Sequence, residues 1–241
     1  TAGELIVASD PIPVGLISYV SSSSNELINL AALGGAESSA SIAALAVVGK
    51  YGASMDTVTN GATCTLQSAS DSVCLDLTSD CIIRASGSQT SGCGSVGVDV
   101  AYNGLMSTVV FRVWYPTNVQ IVLNKTTLSP IVSSACGYGS VMYQETGLRV
   151  SAGFAGSGLT TITGVDVTDV VTVSTGNSSV VEVDVNNGVV RGAGAGTAAI
   201  HLTGLSGGVT TRPVVVTVTD AAADVASMDV MVVTGGQISG V

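Results

Sequence analysis

Positive charge is scarce in this chain. Seven lysines and arginines stand among 241 residues, against 17 aspartates and glutamates, for a formal net charge of −10. A surface that neutralises phosphates needs clustered Lys and Arg, and no such cluster occurs, so nucleic acid is not an expected partner. Charge of either sign is thin, at 10% of residues against roughly 25% in typical globular proteins. Ser, Thr, Gly, Ala and Val fill the gap, so solubility has to come from hydroxyls or from attached sugar.

Other absences narrow the function classes. The longest apolar runs, such as Ile42 to Val48, fall well short of the roughly 20 residues a spanning helix needs, so no membrane segment is expected. The sequence opens at Thr1 without a charged leader region and reads as a mature segment cut from something larger. No CxxC pair exists, which argues against a zinc site. A single histidine, His201, lies in an alternating apolar run, so a Ser-His-Asp arrangement would rest on one strand residue with no cleft implied. No catalytic residue, metal ligand or cofactor is expected, and the chain reads as non-enzymatic.

Five cysteines, Cys64, Cys74, Cys81, Cys93 and Cys136, are the most informative residues present. Four fall within residues 64–93, where short loops can be stapled, which points to disulfides in an oxidising compartment. The odd number leaves one either free and buried or available to another chain. Two sequons, Asn124-Lys125-Thr126 and Asn177-Ser178-Ser179, agree with secretion and make Asn124 and Asn177 candidate N-glycosylation sites.

Alternation with period 2 dominates the chain. Leu148, Val150, Ala152 and Phe154 alternate, as do Val181, Val183 and Val185, and again Val214, Val216 and Val218. These are half-buried strands of antiparallel sheets. Asn186-Asn187-Gly188 lies beside one such run and predicts a tight hairpin. Asn25 to Gly35 fits a buried strand followed by a loop, with a helix as the competing reading. Short strands separated by Gly, Ser and Asn argue for β-sandwiches. The strand STVVFRVWY is expected to end at Pro116, giving a sandwich with a lead-in strand over 1–115, a second over 116–219, and a segment 220–241. That last segment holds one strand, Val225 to Thr234, with no partner in a finished sandwich.

From Thr160 to Thr219, the order SSVVEVDVNNGVVRGAGAGTAAIHLTG followed by PVVVTV resembles the bacterial immunoglobulin-like group 2 module. A longer similarity reaches the extracellular part of the transmembrane protein 132 family. It runs over Phe111–Ile131, Cys136–Phe154, Val165–Val171 and Val216–Gly235, and more thinly over Cys64, Cys81 and RASGSQTSG. The resemblance implies tandem immunoglobulin-like domains, an all-β fold, a cell-surface glycoprotein thought to act in adhesion, and a Cys64–Cys81 disulfide. Cys74 and Cys93 are extra to the family pattern, and the pairing of Cys74, Cys93 and Cys136 stays open.

Four further features have two readings each. Gly192, Gly194 and Gly196 are spaced GxGxG, not GxGxxG, and the next residues alternate as a strand, so the loop is a turn and not a phosphate cradle. Asp166 and Asp169 in VDVTD suit calcium, but serve equally as strand and turn residues. Trp114 and Tyr115 could stack on sugar, or fill the seam between two domains. Ser21 to Ser24 is a polar loop, a place where O-linked sugar could sit.

These observations leave two function classes. One is an extracellular structural or adhesive building block; the other is a carbohydrate- or protein-binding module of a larger receptor. Both termini, ELIVASDPIPVGLISYV and ASMDVMVVTGGQISGV, are apolar and are expected to lie outside the two sandwiches. An exposed apolar strand is a pairing hazard unless pairing is its purpose, so the expected partner is another copy, joined head to tail into a fibre.

Overall fold

A computed structural model describes residues 12–21, 24–48, 54–131 and 141–222. In the first half, strands β1 (Pro13–Val20), β2 (Glu26–Ile28), β3 (Ser38–Val48) and β4 (Ser54–Thr57) are followed by β5 (Thr63–Leu66), β6 (Asp76–Leu77), β7 (Ile82–Ala85) and β8 (Cys93–Tyr102). Strand β9 (Leu105–Leu123) then leads into β10 (Thr127–Leu128), β11 (Pro130–Ile131), β12 (Met142–Tyr143) and β13 (Glu145–Ala155). The chain closes with β14 (Ile162–Asp166), β15 (Thr172–Thr175), β16 (Val181–Asp184), β17 (Val189–Gly192), β18 (Gly196–Thr203) and β19 (Val214–Val218). The fold is all-β, as tandem immunoglobulin-like sandwiches require.

Two apolar cores form between layers. The first packs Ala40, Ile42 and Ala44 of β3 and Ile83 of β7 against Val96, Val98 and Val100 of β8 and Phe111 and Val113 of β9. The second packs Leu148, Val150, Ala152 and Phe154 of β13 against Ala198, Ile200 and Leu202 of β18 and Val216 and Val218 of β19. In each strand the residues two apart point inward, because side chains alternate across the pleat. At roughly 1.5 to 3 kcal/mol for each fully buried large aliphatic side chain, these faces supply most of the drive to fold.

Both sandwiches repeat one device. Strand β1 pairs antiparallel with β3, and the chain then crosses to the other sheet, where β2 pairs parallel with β9. The second half of β9 pairs antiparallel with β13, and β10 then pairs parallel with β19. A first strand split between two sheets joins the layers covalently along one side. Because β9 is both the last strand of the first sandwich and the first strand of the second, one eight-stranded sheet runs through both.

The expected strand end at Pro116 is therefore corrected. Strand β9 runs through Pro116, which sits opposite Phe154 near the start of the β13 ladder, while the β8 ladder ends at Val113. A residue without an N–H is tolerated at this handover, where it interrupts the middle of neither ladder. The chain bends two residues later. Asn118 and Val119 oppose Ala152 alone, and Asn118 has φ 50°, a left-handed bulge geometry that Asn tolerates better than most residues.

One more expectation changes, and the strand-then-loop reading of Asn25–Gly35 is sharpened. The described part of the N-terminal apolar stretch, β1, lies inside the five-stranded sheet and not outside the sandwich, because Leu16 and Val20 rest on the first core. Asn25–Gly35 is strand only over Glu26–Ile28; a 3-10 turn, Ala31–Leu33, comes after it and is closed by Gly34 at φ 88°. The Oδ1 atom of buried Asn29 accepts the Ala32 N–H at 3.0 Å, which favours the turn over a continued strand. Among the described residues, no helix is long and apolar enough to cross a membrane.

Candidate functional site

Tyr115 lies at the junction between the sandwiches, and Trp114, Glu26 and Asp166 lie beside it. The 3-10 turn of the first sandwich carries Leu33, fully buried, into the core of the second, with Leu30 packed against that core beside it. The Ser206 N–H donates to the Ala32 carbonyl at 3.0 Å, and the Ser206 hydroxyl donates to the Ala31 carbonyl at 3.2 Å. The Tyr115 hydroxyl, on a side chain that is largely buried, donates to the Gly207 carbonyl, and burial raises its pKa above the usual phenol value. Gly207, at φ 60°, is so close to Gln89 and Tyr115 that no side chain fits there. Gln89 is itself buried and donates to Asp76 Oδ2 at 2.7 Å. Tyr115 thus fills the seam, the second of the two roles its sequence position allowed.

Trp114 lies beside this seam in a groove of about 330 Å³. Ile28, Leu30, Phe154, Ile162 and Val165 form its apolar lining, with Glu26 and Asp166 at the rim. The Trp114 Nε1–H donates to Glu26 Oε2 at 3.3 Å, and Arg112 Nη1 donates to Glu26 Oε1 at 2.8 Å. These two hydrogen bonds, Arg112 first, hold the Glu26 carboxyl below the usual carboxylate range. Both rim acids are already engaged. Asp166 Oδ1 accepts the Thr168 hydroxyl at 2.7 Å and the Thr168 N–H at 3.0 Å, while Oδ2 accepts Arg149 Nε at 2.8 Å. The Thr168 bonds lead in lowering its pKa, with Arg149 adding to them. This makes Asp166 a turn-capping residue, and among the described residues no group of three or more His, Cys, Asp or Glu side chains gathers that could hold a metal ion.

The other residues singled out from sequence are scattered. His201 stands on β18 opposite Ser174, on the face away from buried Ile200 and Leu202. The disulfides are Cys64–Cys81, with 5.4 Å between Cα atoms, and Cys74–Cys93, with 6.0 Å; Cys136 lies outside the described residues. Asn124 is exposed just past the end of β9. Asn177 is exposed too, and its Oδ1 accepts the Ser179 hydroxyl at 2.7 Å within the sequon itself. Gly192 to Gly196 link β17 to β18. The Ala193 N–H donates to the Val180 carbonyl at 2.8 Å, and a Cβ on Gly194 would stand 2.6 Å from the Ser179 carbonyl oxygen, so close backbone approach explains the glycine. Within Ser21–Ser24, Ser22 and Ser23 lie outside the described residues, as does the strand expected at Val225–Thr234.

Sequence reading missed the outward face of the first sandwich. On β1, Ile17 and Tyr19 stand directly opposite Leu45 and Ala43 of β3, and Val47 stands opposite Met55 of β4, all on the face away from the core. Ile17, Tyr19 and Met55 are exposed. The signal was present: Ile42 to Val48 is apolar at every position, the pattern of a strand covered on both faces.

Residues 17–118 match the family model described as the TMEM132 fourth domain. The match falls on the first sandwich, where the resemblance rested on Cys64, Cys81 and RASGSQTSG, and takes in only the Phe111–Asn118 start of the longer similar pieces. No curated protein matches the chain. Among solved structures, domains 1–6 of surface layer protein SbsC share 17% identity at a TM-score of 0.39, covering 89% of this chain and 29% of that one. Human protocadherin-24 EC1-2 shares 11% at a TM-score of 0.28, covering 89% of this chain and 100% of that one. The chain spans under a third of the surface layer structure that it resembles. Over residues 17–118, the first sandwich is similar to the fourth domain of TMEM132.

Proposed function

We propose that this chain is a non-enzymatic segment of an extracellular structural or adhesion glycoprotein, built as a stiff two-sandwich rod that joins further copies head to tail. One observation carries the reading: a single strand, β9, belongs to both sandwiches, and a buried leucine of one is sunk in the core of the other. Such a junction holds the two units in one orientation, which suits a protein that bears load or sets a spacing. Two disulfides closing short loops favour an oxidising compartment. Exposed Asn124 and Asn177 are the glycan sites of this reading.

The experiment is to express the chain through a secretory pathway and weigh it intact, before and after glycan removal, then follow its size by sedimentation from about 1 to 300 μM. Added glycan mass with concentration-dependent growth into linear species is expected. A glycan-free monomer throughout that range would overturn the proposal. A second reading, a binding module, is favoured by the Trp114 groove alone. Its lining is almost wholly apolar and its rim acids are occupied by Arg112, Arg149 and Thr168, so it suits an apolar side chain of a protein better than a sugar.

A further inference from the structure

We infer that the outward face of the β1–β3–β4 sheet is the acceptor surface for the apolar segment Val225–Val233 of a second copy of this chain. The inference rests on the head-to-tail reading above and specifies its two halves. On the acceptor side, Ile17, Tyr19, Leu45, Val47 and Met55 share one face with no charged residue among them. Gly15 is paired with Val47 and leaves it uncovered by any side chain from β1. An outer sheet face normally carries polar residues in these alternate positions, and a contiguous apolar one marks a contact surface.

On the donor side, Val225, Met228, Val230, Met231, Val232 and Val233 are interrupted by one charge, Asp229. Reach decides that donor and acceptor belong to different copies. The acceptor is near the start of β9, since the Ser18 hydroxyl donates to the Ser107 hydroxyl at 2.8 Å. The described chain leaves beside the other end of β9: the Thr219 N–H donates to the Leu128 carbonyl at 2.9 Å, five residues past Leu123. The 16 steps of strand from Ser107 to Leu123 span roughly 50 Å at about 3.3 Å each. From Ala222, fully extended chain reaches only about 10 Å at Val225 and about 37 Å at Val233. The segment therefore cannot lie on this face of its own copy, whereas the next copy in a row presents the face at the pole it meets. Residues 1–9 adjoin β1 in sequence, and the crosslinks distinguish them from Val225–Val233.

The test uses the full chain with a photo-crosslinking benzophenone side chain in place of Met55, in an equal mixture of nitrogen-14 and nitrogen-15 copies. Mixed-isotope crosslinks from position 55 to residues 225–233 are expected at concentrations where the chain assembles. The variant Ile17→Lys with Val47→Lys should raise the concentration for half-assembly at least tenfold. Its melting temperature and its two disulfides, unchanged, would show that it folds. Crosslinks confined to residues 1–11 of the same copy would overturn the assignment, as would undiminished assembly by the double variant; either leaves head-to-tail joining intact. A wild-type chain that stays monomeric fails at the earlier step, and overturns the assembly reading together with this one.

Discussion

At the scale of single residues, the described ionisable groups sit mostly at the surface, and their hydrogen bonds set how the fold answers pH. Glu26 is held low by Arg112 and Trp114, Asp166 by Thr168, and Asp184 by the Asn187 side chain that it caps. A carboxyl depressed in the folded chain contributes stability that is complete above its ordinary value, about 4, and is lost as pH falls through the lower folded value. Melting temperature is therefore expected to hold from pH 7 down to about pH 4 and to fall below that; a decline beginning near pH 6 would point to other groups. Tyr115 has the opposite sign. Burial raises its phenol, so its contribution is complete below the ordinary value near 10 and is lost as pH climbs through the folded one. Tyr115→Phe removes the bond to Gly207 and should cost about 1 kcal/mol in denaturant unfolding. It should also abolish that share of the alkaline loss. Loss of stability above pH 10 identical to wild type would assign it to another tyrosine.

At the scale of elements, the decisive signals were local ones, and they differed in legibility. The alternating runs at Leu148–Phe154 and Val214–Val218 bury the side chains that their period predicts, because one face of each strand meets a core and the other meets water. The Asn186-Asn187-Gly188 turn joins β16 to β17, but only Gly188 has positive φ, at 62°, and Asp184 caps a four-residue loop. The tight two-residue hairpin is elsewhere. Asn103 at φ 47° and Gly104 at φ 79° link Tyr102 to Leu105, between runs whose glycines and hydroxyls blur the alternation. A Cβ on Gly104 meets nothing within 4 Å, so the cost of Gly104→Ala is purely that of the backbone. We expect about 1 kcal/mol of destabilisation by chemical denaturation. A neutral result would show that the turn relaxes to another type. The path through Pro116 was not legible, since a proline ends a strand unless its partner changes there, and that change depends on pairing with β13, where its partner Phe154 is 38 residues away in sequence. The Trp114 groove was half legible: the aromatic stood out, while Ile28 and Ile162 join it only through the parallel β2 pairing and the β14 edge.

At the scale of the whole molecule, the question is whether two cores behave as one. Leu33 belongs by sequence to the first sandwich and by packing to the second, so deleting its side chain opens a cavity in one core and removes the peg between both. Leu33→Ala is expected to cost about 2 to 5 kcal/mol, the range for truncating a buried leucine. The loss should fall on the second sandwich and the seam and spare the first core. Leu27→Ala is the counterpart, because Leu27 is buried in the first core alone. In calorimetry, the wild type should melt as one transition, since opening either sandwich breaks β9 pairing and the bonds of Ser206 and Tyr115 to the other. Leu33→Ala should split that transition in two, with the lower step carrying the heat of the second core. Leu27→Ala should move a single peak downward, because the coupling is left in place and the weaker core takes the stronger with it. If both variants give one peak, or the wild type already gives two, the seam does not couple the sandwiches. The proposed rod would then flex at Asn118, and the spacing proposed for head-to-tail assembly would have to come from contacts between copies.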